Sequence, residues 1–127
     1  MKRDMDLLRL LLLKLETAHE GGQGIWHYKQ GDISIEGYTW GQVLYHYQLA
    51  VESRLVDQGG RGVMSGFLFR RLTWSGHDFV DAVRDDEIWK RTRQGVSAAG
   101  GFSIDLLKDL AKGFIRKKIS EHTGVDI

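Results

Sequence analysis

Residues 38–83 decide the fold, and with the preceding glycine they divide into GYTWGQVLYHYQLAVESRLV (37–56), QGGRGVMSGFLF (58–69) and RRLTWSGHDFVDAV (70–83). Thr39 is placed to cap a helix, because a hydroxyl there accepts from the free N–H groups of the first turn. Behind it the apolar residues recur at helical spacing. Val43, Tyr47, Ala50 and Val51 share one face with Trp40 and Leu44 beside them, while Gln42, Tyr45, His46, Leu49 and Glu52 point the other way. The second set is the expected binding face.

Gln58, Gly59, Gly60, Arg61 and Gly62 cannot easily continue a helix or a strand, since glycine frees the backbone to take positive φ, so they read as a hairpin tip. Beyond it Phe67, Phe69 and Arg71 alternate with Leu68, Arg70 and Leu72, the period-two pattern of a strand with unlike faces. Thr73 or Ser75 then caps a second helix, with Asp78 three residues after Ser75 resembling a capping box. A helix, a hairpin and a second helix in that order predict a winged helix-turn-helix-like domain, mainly α with a small β-hairpin wing.

These residues carry a resemblance. The opening MKRDMDL (1–7), a central GYxxxxVxYHxxL (37–49) and RLTWxGHDFxDAxRDDxxW (71–89) are similar to those of a family of uncharacterised bacterial and phage proteins, over nearly the whole chain. That family has no assigned activity, so the resemblance implies relatives and a link to phages or mobile elements, not a function. The middle also resembles the winged helices of small bacterial regulators, which carry VxxHLxxLxxxGLV before the wing and LTxxG after it. The matching residues are Val43, His46, Tyr47, Ala50, Leu55 and Val56, then Leu72, Thr73 and Gly76. Arg54 stands where that pattern has glycine. If the position needs left-handed geometry, the substitution costs on the order of 1 kcal/mol and the turn is expected to be reshaped.

A chain of 127 residues, 42% apolar and 10% aromatic, suffices for one ordinary core. Its 18 basic and 17 acidic residues give a net charge of +1, which makes no gross electrostatic case for nucleic acid or an anionic membrane. Cysteine is absent, which removes disulfides, thiolate metal sites and a cysteine nucleophile. The leucine-rich run at 7–15 is broken by Arg9 and Lys14, has no small-residue cleavage site after it, and falls short of the ~20 apolar residues of a membrane span. A cytoplasmic location with no membrane association is expected.

Asp4 or Asp6 should start a first helix whose core face is Met5, Leu8, Leu11, Leu12 and Leu15, with Arg9 and Glu16 opposite. Leu10 and Leu13 are left over, either packing under the following loop or forming a subunit or partner interface. Between 19 and 37 the chain is glycine-rich and shows no convincing second helix. Ile33 to Ile35 is expected to join the wing as a third strand, and Trp26 is expected to fold back on the core. From Ser75 to about Gln94 the pattern predicts one helix, on which His77, Asp81 and Asp85 form a single row; a solvated face explains that row better than a metal site. Ser103 then caps a last helix with an apolar stripe and a basic row of Lys108, Lys112 and Arg116. The expected organisation is a winged-helix-like domain over 1–94, a Gly/Ser/Ala linker over 95–102, and a C-terminal helix over 103–127 that packs on the domain or dimerises.

No catalytic constellation, phosphate-cradling loop or metal cluster emerges, so an enzyme, a cofactor and a metal are not expected. Two functions fit. In the first, narrowly favoured, a regulator binds double-stranded DNA, with Gln42 reading adenine and Arg61, Arg70 and Arg71 at the wing and its strand meeting phosphates. Against it, the helix 39–53 holds no lysine or arginine and carries Glu52 on the face that would meet DNA. In the second, Tyr45, His46 and Leu49 form the centre of a surface for a host protein, so that the module modulates or inhibits a host or defence complex.

Overall fold

The computed structural model describes residues 1–18, 23–98 and 103–124. Within them the order is α1 (Met5–Ala18), β1 (Trp26–Tyr28), α2 (Trp40–Glu52), β2 (Val56–Asp57), β3 (Phe67–Phe69), β4 (Arg71–Leu72), α3 (Trp74–Val83), α4 (Asp86–Ala98) and α5 (Ile104–Thr123). The protein is mainly α with small antiparallel strand pairs, the class its sequence pattern predicts. The chain groups into two compact units, Met1–His77 and Asp78–Ile127, which divide inside α3 and so differ from the expected grouping into 1–94 and 103–127.

In the first unit Asp4 caps α1, its Oδ1 accepting from the N–H groups of Asp6 at 2.9 Å and Leu7 at 3.2 Å. Leu7, Leu8, Leu11, Leu12 and Leu15 are fully buried where α1 packs on α2 and β4. Arg9, expected opposite the core, is buried too, and it keeps a partner there.

The strands depart from expectation. Trp26–Tyr28 is the strand that joins the wing, pairing antiparallel with β3 in the register Trp26 to Phe69 and Tyr28 to Phe67. Residues 33–35 do not join it. A turn at Gly31 and Asp32, closed by Asp32 accepting from Lys29 N at 2.8 Å, diverts the chain, leaving Ile33 one bridge to Gln30 and burying Ile33 and Ile35. The aromatic side chains of Trp26 and Tyr28 suit a pleated strand, and pairing with Phe67 and Phe69 holds it in place. β2 pairs with β4, Val56 facing Leu72.

α2 begins as predicted, with a full capping box: Thr39 Oγ1 accepts from Gln42 N at 3.2 Å, and Gln42 Oε1 accepts from Thr39 N at 2.8 Å. It ends in a Schellman motif. Leu55 N donates to Ala50 O at 2.9 Å, Arg54 N donates to Val51 O at 3.0 Å, and Arg54 has φ +62°. The turn expected to be reshaped by Arg54 therefore keeps the left-handed geometry. Thr73 Oγ1 fastens it by donating to Arg54 O at 2.6 Å, and Thr73 Oγ1 also caps α3 by accepting from Gly76 N at 3.0 Å. Gly76 is obligatory there, since a Cβ would strike the carbonyl of Leu55.

In the second unit the single helix expected from Ser75 to Gln94 is two. α3 ends at Val83, and Asp85 caps α4 with Oδ1, accepting from Glu87 N and Ile88 N at 2.9 Å each. Helix α4 extends through Gly95 to Ala98, so the predicted linker begins as helix; residues 99–102 lie outside the described ones. Ser103 caps α5 as expected, accepting from Leu106 N at 3.0 Å. Helices α4 and α5 pack together, burying Val96, Leu107 and Ala111. Asp85 also accepts from Lys118 Nζ of α5 at 3.2 Å.

Two outcomes follow for stability. Arg54→Gly relieves a left-handed non-glycine residue and should stabilise the protein by about 1 kcal/mol, read as a higher midpoint in urea unfolding. Backbone N–H groups and then Lys118 hold the Asp85 carboxyl below its usual range. Its contribution is therefore present above the ordinary aspartate value of about 3.9 and fades as pH falls through the lower folded value. Asp85→Ala should cost about 1 kcal/mol at neutral pH, and its difference from wild type should shrink as acid unfolding is followed below about pH 4.

Candidate functional site

Phe67 joins the wing to α2. Its ring stacks on Tyr47 at 3.8 Å between centroids, on Tyr28 at 5.0 Å and on Trp40 at 6.0 Å. Tyr47 is fully buried and donates its hydroxyl to Leu68 O of the same strand. Burial, with Asp57 and Tyr28 nearby, pushes that phenol far above its usual range, so it stays a donor. The loop 58–66 is then fixed at both ends. Asp57 Oδ1 accepts from Gly59 N at 2.9 Å, while at the other end His27 Nε2 donates to Ser65 O at 2.7 Å. Gly66 takes φ +73° against the carbonyl of Tyr28, a position no Cβ can share.

This arrangement leaves a groove of about 550 Å³ between the outer side of α2 and the wing loop. Leu44, Tyr45, Leu49 and Val63 give it apolar walls, and Gln48 and Glu52 edge it. Val63 is partly exposed and Met64, next to it at the loop's crest, is fully exposed. Of the predicted binding face, Tyr45 and Leu49 are half-buried members of the groove. His46 is not: it is 1% exposed, its Nδ1 donates to Gln42 O at 2.8 Å, and its Nε2 accepts from Asp4 N at 2.7 Å. Projection explains the correction, because at ~100° per residue His46 lies only about 60° from Val43, on the rim of the buried arc. Tyr38 completes that anchor by donating to Asp4 Oδ2 at 3.0 Å. Gln42 is committed as well, its amide oxygen closing the capping box, which takes it from the base-reading role.

Arg61 is exposed on the wing loop, as expected. Arg70 and Arg71 are exposed but share Asp57, at 3.8 and 3.7 Å. Of the candidate interface residues, Leu10 is exposed at 39%, Leu13 is half-buried, Lys108 is half-buried, and Lys112 and Arg116 are exposed. The His77, Asp81 and Asp85 row is broken by the end of α3: His77 lies 4.0 Å from Glu16, Asp81 pairs with Arg84 at 2.7 Å, and Asp85 is a cap. Among the described residues no group of three or more histidines and carboxylates could hold a metal, and no helix is long and apolar enough to cross a membrane. Sequence reasoning placed Gln48 in the polar ring around Tyr45 and Leu49, set Leu44 beside the buried face, and passed over Val63 and Met64. VM inside a glycine-rich tip was the available signal, since apolar side chains there have no core to enter.

Among the described residues, five helices and two small antiparallel strand pairs, β1 with β3 and β2 with β4, define a mainly α protein with a groove between α2 and the loop 58–66. The chain belongs to the family described as hypothetical protein DUF2513, whose profile matches residues 2–103. It is similar to an uncharacterised protein of Haemophilus influenzae, 30% identical over 127 residues that cover 94% of this chain and all of that protein. No solved structure matches.

Gly66→Ala tests whether the wing base shapes the groove. A Cβ there must displace the Tyr28 backbone, so the substitution should destabilise by about 1–3 kcal/mol, whereas Gly113→Ala, on an open face of α5, should be neutral or stabilising by up to about 1 kcal/mol. Thermal unfolding of the two variants checks the contrast.

Proposed function

We propose that this protein is a non-catalytic interaction module whose α2–wing groove takes an apolar segment of another polypeptide. The groove itself carries the reading: it sets Leu44, Tyr45, Leu49 and Val63 around one concavity, where a DNA reader needs polar side chains and cations. Tyrosine beside aliphatic side chains in a half-covered cleft is the composition of an interface centre, with Gln48 and Glu52 as a polar rim. Glu52 has no ion pair among the described residues, so a basic side chain flanking the apolar anchor suits the rim.

DNA binding is the second reading, supported by the winged-helix order of elements and by the exposed Arg61 on the wing. Helix α2 offers it no lysine or arginine, and Gln42 is occupied by the cap. A regulator or inhibitor acting for a phage or mobile element is compatible with either reading.

One pair of assays separates them. Fluorescence anisotropy with random duplex DNA should show no salt-dependent binding, and a photo-crosslinking residue at Tyr45 should join a discrete protein partner, lost in Leu49→Glu and kept in Arg70→Ala with Arg71→Ala. Duplex affinity that falls steeply with salt and is lost in the arginine variant would overturn the groove reading in favour of DNA.

A further inference from the structure

The groove lies next to a knob of the kind it would accept. Val63 forms part of its wall, and Met64, one residue on, is fully exposed at the crest of the same loop. An unbranched thioether side chain adapts to irregular apolar clefts. Among the described residues none covers Met64, while Gly66 and His27 hold the loop's end against β1.

Charge is arranged in the same way. Glu52 edges the groove and Arg61 lies on the loop, both exposed and neither in an ion pair among the described residues. By contrast, Arg70 and Arg71 on the neighbouring strand are already matched to Asp57. A surface that carries both a hole and a knob, and both an anion and a cation, can be self-complementary. That is the requirement for a two-fold interface, in which the same patch serves both subunits.

We propose that the groove is occupied by the wing loop of a second copy of this chain, Met64 of each protomer entering the groove of the other and Arg61 of each meeting Glu52 of the other. The inference rests on the reading of the groove as a polypeptide-binding site and names its occupant. Reciprocal exchange buries both wing crests at once, and because the interface closes on itself it gives a dimer and not a filament. It also gives the exposed Val63 and Met64 pair a cover that a monomer lacks.

Sedimentation equilibrium of the full chain across a wide concentration range tests this. The expected result is a concentration-dependent shift from the 14.5 kDa chain mass to twice that value. Met64→Asp should weaken association roughly tenfold or more, as loss of a central anchor does. Glu52→Arg alone should also weaken it, and adding Arg61→Glu should restore it, with circular dichroism unchanged because all three side chains are exposed. A monomer at every concentration overturns the proposal, as does a dimer indifferent to Met64→Asp and to the charge exchange. The wider reading fails separately: if Tyr45 crosslinks neither a second copy nor any other polypeptide, the groove is not a polypeptide site at all.

Discussion

The stacking of Phe67 between Tyr28, Tyr47 and Trp40 is the contact on which the first unit depends. Two- and three-residue strands are far below the length at which a sheet is stable alone, so the wing needs a helix to pack on. Phe67 provides that packing and Tyr47 adds the hydrogen bond to the neighbouring carbonyl. Because Tyr28 lies on β1, Tyr47 and Trp40 on α2 and Phe67 on β3, one cluster fixes three segments far apart in sequence. The groove follows from that geometry: the wing base is drawn onto α2, and its loop is left standing off the helix's outer side.

Much of this was legible in the residues because it rests on local rules. Thr39, Ser103 and Asp4 cap helices as their positions require, and Arg54 takes the left-handed turn that regulators of this pattern give to glycine. The carbonyl of Arg54 is held by Thr73, whose hydroxyl also starts α3, so one side chain stabilises two helix ends and offsets part of the strain. What was not legible depends on long-range pairing. The choice between Trp26–Tyr28 and 33–35 as third strand turned on which reached Phe67 and Phe69, and no periodicity encodes that. The break after Val83 was hidden for a related reason: Asp85 reads equally as one more polar position on a helix face and as the cap of a new helix.

The candidate site shows the same limit. Tyr45 and Leu49 were found by projection alone, because they lie near the centre of the outer face. His46 lies on the boundary, where about 60° of rotation decides between water and core, and the approach of Asp4 from 42 residues away decided it. A buried imidazole with one nitrogen donating and the other accepting is fully satisfied, and in that state it is structural. Gln42 was lost to the site in a similar way, its amide being worth more to the helix start than to a ligand.

Electrostatics then weighs on how α2 is used. A protein that holds DNA must neutralise several phosphates, and each cation already paired on its own surface contributes less to that. Arg70 and Arg71 share Asp57, a pairing worth at most about 1 kcal/mol in solvent but enough to reduce the local positive field. Arg61 is exposed on the wing loop, and Glu52 edges the groove. Arg61 and Glu52 are each exposed with no ion pair among the described residues. On the polypeptide-binding reading proposed above, apolar contact would supply affinity and such a charge pair would set the register.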